Sequence, residues 1–250
     1  MKRLINCLIL SACILTGCST DITIPYQSVN NYPSAKAYWR SVLTKNVNAK
    51  GLVNYKGVEH DIVALEHWLN FVAQYGPDNE QEKGQFATKV QRLSYYIDAY
   101  NALAMYGVLK SGQLPKNKVR FFLLRKYPVM TQKMSLYYFE NEIIRKENEP
   151  RIHFALNCMS VGCPYLPAMT WDEDTLDQQL DQATVAFIND PRNIYLKKEL
   201  QEVWVSEIFD FYPEDFGDLI DYINQYRQEK VPTHFTIKFI DYDWSLNSQS

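Results

Sequence analysis

Between Arg92 and Lys110 the chain carries a single acid or base of ordinary pKa, Asp98, in the run LSYYIDAYNALAMYGVL. Leu93, Ile97, Tyr100 and Ala104 fall on one side of a helix, and Tyr96, Ala99, Leu103 and Tyr106 on another. A helix that is apolar nearly all round belongs inside a domain, so the other elements must wrap it. The spacing predicts this helix over Lys89 to Leu109. Asp98 and Asn101 lie three apart, on one stripe. A buried polar stripe needs partners. It serves either a hydrogen-bond network that ties the helix to loops, or chemistry.

The flanking segments predict how the wrapping is done. Helices are expected from Ser34 to Lys45 and from Glu59 to Tyr75, the second with Ile62, Leu65, Leu69 and Val72 at helical spacing. Another short one is expected from Leu136 to Arg145, bearing Glu140. RIHFALN, residues 151–157, has the β-branched and aromatic content of a core strand. Thr170 caps a helix whose core face is Leu176, Leu180, Ala183 and Phe187. Asn193 to Leu196 and Glu202 to Val205 form a hairpin, Pro213 starts a helix through Tyr226, and His234 to Ile240 alternates as a final strand. The class is α+β, a helix-rich single domain with a small, mostly antiparallel sheet in the C-terminal half. That domain is expected over 34–250.

The N-terminus reads differently. Lys2 and Arg3 precede the uncharged run LINCLILSACIL, and Leu15-Thr16-Gly17-Cys18 follows with the pattern of a bacterial lipobox. The apolar run is too short for a span, which needs ~20 residues. Residues 1–17 are therefore expected to be a cleaved lipoprotein signal, with Cys18 lipidated and the membrane its partner. Several acyl chains anchor a protein stably where one does not. Ser19, rather than Asp, after the cysteine implies sorting to the outer membrane of the cell envelope. Residues 18–33, polar and broken by Pro25 and Pro33, read as a tether. The formal charge is −3, and loss of residues 1–17 with Lys2 and Arg3 takes it to −5. With no basic stripe, nucleic acid is not an expected partner.

Cys7 and Cys13 leave with the signal and Cys18 takes the lipid, so Cys158 and Cys163 remain as an even pair in an oxidising compartment. A Cys158–Cys163 disulfide would close a short loop, worth ~2 kcal/mol in the chain-entropy model. Alternatively Cys163 is a nucleophile with His153 as base and Glu140 or Asp215 as orienting group. Asn101 or Ser160 would then donate to the oxyanion. On a strand, His153 and Cys158 would face opposite sides, leaving Cys163 as the cysteine able to meet His153. No Cys-x-x-Cys or helical His pair supports a metal, since His60 and His67 are nearly two turns apart. No phosphate-loop or dinucleotide fingerprint is present, so no cofactor is expected. Ser206, Asp215, Asp243 and Trp244 read by default as core residues, with Asp215 able to cap or bridge elements and Trp244 able to wall a pocket.

Several segments together resemble the domain of unknown function 547 family. They are KGLVNY, YYIDAYNALAMYGVL, SLYYFENEIIR, RIHFALNCMSVGCPYLP, VSEIFDFYPEDF and IDYDWSLN, in the family's order from Gly51 to Asn247. Two positions depart from its pattern: Asp98 stands where Asn is typical, and Asn141 where His is typical. The resemblance implies a fold and no reaction. The expected role is that of an exported, lipid-anchored binding or interaction module. A cysteine/histidine hydrolase or acyl transferase centred on His153 and Cys163 is the alternative.

Overall fold

The computed structural model describes residues 21–28, 31–77, 84–111 and 118–249. The expected signal and Cys18 lie outside these residues. Within 18–33, residues 21–28 lie along the domain: the Ile22 N–H donates to the Lys126 carbonyl at 2.7 Å, and the Asn70 amide donates to the Pro25 carbonyl at 2.8 Å. Among the described residues no helix is long and apolar enough to cross a membrane.

The N-terminal half is helical: α1 (Tyr32–Asn46), α2 (Tyr55–His60), α3 (Ile62–Gln74) and α4 (Lys89–Ser111). Asn31 caps α1 through its side chain, three residues earlier than Ser34 would. As its sequence requires, α4 is central and buried from Leu93 to Val108. Around it pack Trp39, Trp68 and Phe71, all at most 1% exposed. Burying such side chains contributes ~1.5–3 kcal/mol each. The polar stripe on α4 is closed by protein. Asp98 Oδ1 accepts from the Trp39 indole at 3.1 Å and the Trp171 N–H at 3.3 Å, and the Lys36 ammonium lies 3.6 Å from Oδ2. Lys36 also donates to Ser94 at 2.9 Å and to the Trp171 carbonyl.

A hairpin, β1 (Tyr127–Val129) and β2 (Gln132–Met134), leads into α5 (Leu136–Tyr138). The helix expected to Arg145 instead widens into a π turn over Phe139–Ile143 and then tightens into a 3₁₀ turn, Ile144–Glu147. Such turns often mark functional positions. Residues 151–157 do not form the expected strand. Pro150 sits at the first helical position, the Glu149 side chain accepts from the Arg151 N–H, and Pro150–Phe154 is a 3₁₀ helix. Proline's fixed φ and this cap outweigh the β content of Ile152 and Phe154.

α6 (Leu176–Asn189) follows a 3₁₀ turn, Glu173–Thr175, so Thr170 does not cap it. The expected hairpin is present as β3 (Ile194–Lys197) and β4 (Glu202–Ser206), and β5 (Thr236–Ile240) joins β4 in parallel. α7 (Ile208–Phe211) comes next. The helix from Pro213 breaks at Gly217, φ +61°, giving α8 (Pro213–Phe216) and α9 (Leu219–Tyr226). Phe154, Phe187, Phe209, Val203, Val205 and Ile223 form a second core between these elements. The fold is α+β, helix-rich, with its three-stranded sheet in the C-terminal half.

Candidate functional site

A pocket of about 90 Å³ opens where the two cores meet, lined by residues from α4, the π turn, the 3₁₀ helix at 150–154, the cysteine turn and the C-terminal segment. Its walls are mostly aromatic and aliphatic: Phe122, Leu156, Ile208, Phe211 and Trp244 among them. Glu140, His153, Cys158 and Cys163 also line it, with Tyr100, Tyr212 and Tyr242 beside them. Of the residues expected to carry chemistry, His153, Cys163 and Glu140 therefore converge on the pocket. Asn101 does not line the pocket. Its amide donates to the Ala155 carbonyl at 3.0 Å, and its oxygen accepts from the Asn157 N–H at 2.7 Å. With both ends engaged, Asn101 holds the backbone that leads to Cys158.

Because 150–154 is a 3₁₀ helix, strand alternation does not separate His153 from Cys158, and both reach the same void. The His153 ring stacks on Tyr212 with centroids 4.0 Å apart, and its Nε2 lies 2.7 Å from Asp215 Oδ2. Asp215 is held in turn by Arg145, through contacts of 2.7 and 2.6 Å. Burial alone would raise the Asp215 carboxyl, but hydrogen bonds from His153 and Arg145 outweigh it and hold it well below the usual range. Asn141, standing at the family's histidine position, accepts from Arg145 at 2.8 Å and donates to the Tyr137 carbonyl. It braces the guanidinium and supplies no base.

Glu140 is 6% exposed and accepts from two phenols, Tyr100 at 2.9 Å and Tyr212. Burial, reinforced by the Glu140 charge, pushes both phenols well up, so they stay protonated donors. Lys118 covers the Trp244 ring at 3.9 Å, at the pocket's other side, and burial lowers its ammonium.

The cysteines are free thiols in contact, Sγ to Sγ 3.0 Å. The Cys163 sulfur also accepts from the Cys158 N–H at 3.1 Å and meets the Tyr242 hydroxyl at 2.9 Å and Ser160 Oγ at 3.4 Å. Burial would raise the Cys163 thiol, yet hydrogen bonds from Cys158, Ser160 and Tyr242 together bring it down to about 6. Cys158, hydrogen-bonded to that sulfur and desolvated, is pushed well up. The turn between them is clamped by the C-terminal segment: the Gly162 N–H donates to the Asp243 carbonyl and the Val161 N–H to Ser245, both at 2.8 Å. A Cβ on Gly162 would meet the Asp243 backbone at 3.0 Å, so a side chain here would push that backbone back by a few tenths of an ångström. Among the described residues no group of three His, Cys, Asp or Glu could hold a metal ion.

Residues 85–188 match the family model described as Protein of unknown function, DUF547. Over this span the chain is similar to the DUF547 family. Among curated proteins and solved structures nothing matches it. The DUF547 span carries Tyr100, Glu140, Arg145, His153 and both cysteines. Tyr212, Asp215, Tyr242 and Trp244 come from the chain beyond it, so the pocket depends on both. These tyrosines and Arg145 were not singled out from sequence. Tyr242 sits within DYDWSLN, the one signal that pointed toward it, and Trp244 in the same segment lines the pocket as its sequence reading allowed.

Proposed function

We propose that this chain is an exported, lipid-anchored binding module whose pocket takes a small ligand with an apolar or aromatic body. One observation carries the reading. A concave, largely aromatic wall surrounds a few convergent polar groups, the usual make-up of a small-molecule site. Glu140, His153 and Cys163 each have protein partners already, so a ligand can enter without leaving a buried charge unpaired. The test is a screen of small aromatic fragments by saturation-transfer NMR on the wild type and on Trp244→Ala. Fragments that bind the first and not the second support the pocket. No bound fragment, or equal binding to both, overturns it.

The anchor is supported by the lipobox at Leu15 to Cys18. Mass spectrometry of the envelope protein's N-terminus should find a lipidated Cys18, and Cys18→Ala should abolish both lipid and cleavage. An unmodified Cys18 on the native protein rules the anchor out.

Acyl transfer is favoured by one observation, the convergence of Glu140, His153 and Cys163 on one void. Against it, His153 Nε2 is engaged by Asp215, and the hydrogen-bond partners of the Cys163 sulfur are Cys158, Ser160 and Tyr242. A Cys–His enzyme needs the ring within ~2.6–3.2 Å of the thiol it activates, a distance that can tighten on substrate binding. In a mechanism of that kind His153→Gln would cut the rate of Cys163 alkylation by an electrophilic probe. The binding reading expects no change.

A further inference from the structure

We propose that Cys158 and Cys163 form a thiol–disulfide exchange site in the pocket wall, whose substrates are small disulfides that enter the pocket. It shares the pocket with the binding reading but does not depend on it. The argument begins with geometry. Two thiols stand 3.0 Å apart, and both face the same void. They are not equivalent. Cys163 is the better thiolate, because its sulfur gathers the Cys158 N–H and the Tyr242 hydroxyl, with Ser160 Oγ also in reach. Thiolates, not thiols, attack disulfides, and nearby donors are what stabilise them. Cys158 is half-buried, keeps its proton, and lies against the Cys163 sulfur, where a resolving thiol must be.

The turn favours the pair's closure. Met159 adopts φ +70°, and its N–H is taken by the Asn157 side chain at 2.7 Å. The Cys163 N–H donates to the Ser160 carbonyl, and Arg192 donates to the carbonyls of Val161 and Cys163. These contacts hold the two sulfurs together in the dithiol form, so oxidation requires little backbone movement.

The exchange balances as follows. The Cys163 thiolate attacks one sulfur of R–S–S–R, forming Cys163–S–S–R and releasing RS⁻. Cys158 passes its proton to RS⁻, giving RSH, and its thiolate then attacks the Cys163 sulfur. This forms the Cys158–Cys163 bond and expels a second RS⁻. The small disulfide is reduced and the protein pair oxidised. A static structural bridge would make no such exchange.

The test uses the full chain, reduced and then treated with 2-hydroxyethyl disulfide at pH 7. Samples are quenched in acid and mapped by peptide mass spectrometry, which separates these sites from Cys7, Cys13 and Cys18. Wild type should convert to an internal 158–163 bridge without stable adduct, and excess mercaptoethanol should reverse it. Cys158→Ser should trap one mercaptoethanol half on residue 163. Cys163→Ser should react several-fold more slowly, and Tyr242→Phe should slow adduct formation in the Cys158→Ser background. Cys158→Ala is the second variant, and near-UV circular dichroism confirms folding of each. Faster adduct formation on Cys158 than on Cys163 would overturn the assignment. A wild type that never bridges, or a bridge that resists reduction, would overturn the exchange site.

Discussion

Two buried polar constellations sit among aromatic side chains, and one of them lines the pocket. On one side of α4, Lys36, Ser94 and Asp98 are enclosed by Tyr32, Trp39 and the Trp171 backbone. On the other, Tyr100 leaves the same helix toward Glu140, His153 and the two cysteines, which line a pocket. Polar groups satisfied within a filled core hold structure together, whereas polar groups paired around a cavity are placed for something that enters. Removing a partner should therefore cost stability in the first cluster and recognition in the second.

The largest expected effect is in the closed cluster. Lys36→Met leaves the Asp98 carboxylate buried without its counter-charge, a loss of ~3–5 kcal/mol in urea unfolding at pH 8. The loss should shrink at pH 5, where Asp98 is protonated. An equal loss at both pH values would break the assignment of Lys36 to Asp98.

Asn101→Leu comes next, at about 3 kcal/mol, because the Ala155 carbonyl and Asn157 N–H each lose a partner worth ~1–3 kcal/mol. A thermal melt unchanged from wild type would contradict the burial of that amide.

The two aspartates should titrate in opposite senses. Burial pushes Asp98 up to about 7 despite Lys36, so its contribution to stability is fully present below pH ~4 and is lost as the pH rises through 7. Asp215 is held low by His153 and Arg145, so its contribution is present above the ordinary carboxylate range and is lost as the pH falls below it. Asp98→Asn should flatten the decline between pH 4 and 7, and Asp215→Asn should flatten the acid limb. Urea midpoints measured across pH check both, and exchange of the two effects would refute the electrostatic picture.

Much of the closed cluster was legible in the sequence. A helix with one charge in seventeen residues has to be central, and Asp98 and Asn101 on one stripe have to be paired. The class and the C-terminal sheet followed from periodicity in the same way. The open cluster was legible only as residue types. His153, Glu140 and Cys163 were named, but the strand expected over 151–157 put His153 and Cys158 on opposite faces. Pro150 and the Glu149 cap turn that segment into a 3₁₀ helix, a local effect that composition outweighs in a pattern reading. The partners that define the site, Tyr212 and Tyr242, lie 72 and 84 residues along the chain from Glu140 and Cys158. No local spacing could pair them.

The smallest effect on stability is expected at the pocket. Glu140→Gln keeps an acceptor for a tyrosine and the side-chain shape, so unfolding should change by less than ~1 kcal/mol, near the scale of one neutral hydrogen bond. Trp244→Ala, half-buried at the wall, should likewise melt near wild type. A large fall in melting temperature for either would place the pocket wall with the closed core.

The contrast is tested most directly by measuring two quantities on the same two variants, Asn101→Leu and Trp244→Ala: urea unfolding free energy and affinity for the aromatic fragment that binds wild type most tightly. The account predicts a double dissociation, with Asn101→Leu losing stability while the folded fraction still binds, and Trp244→Ala keeping its stability while binding is lost. Parallel losses of stability and affinity in both variants would contradict it.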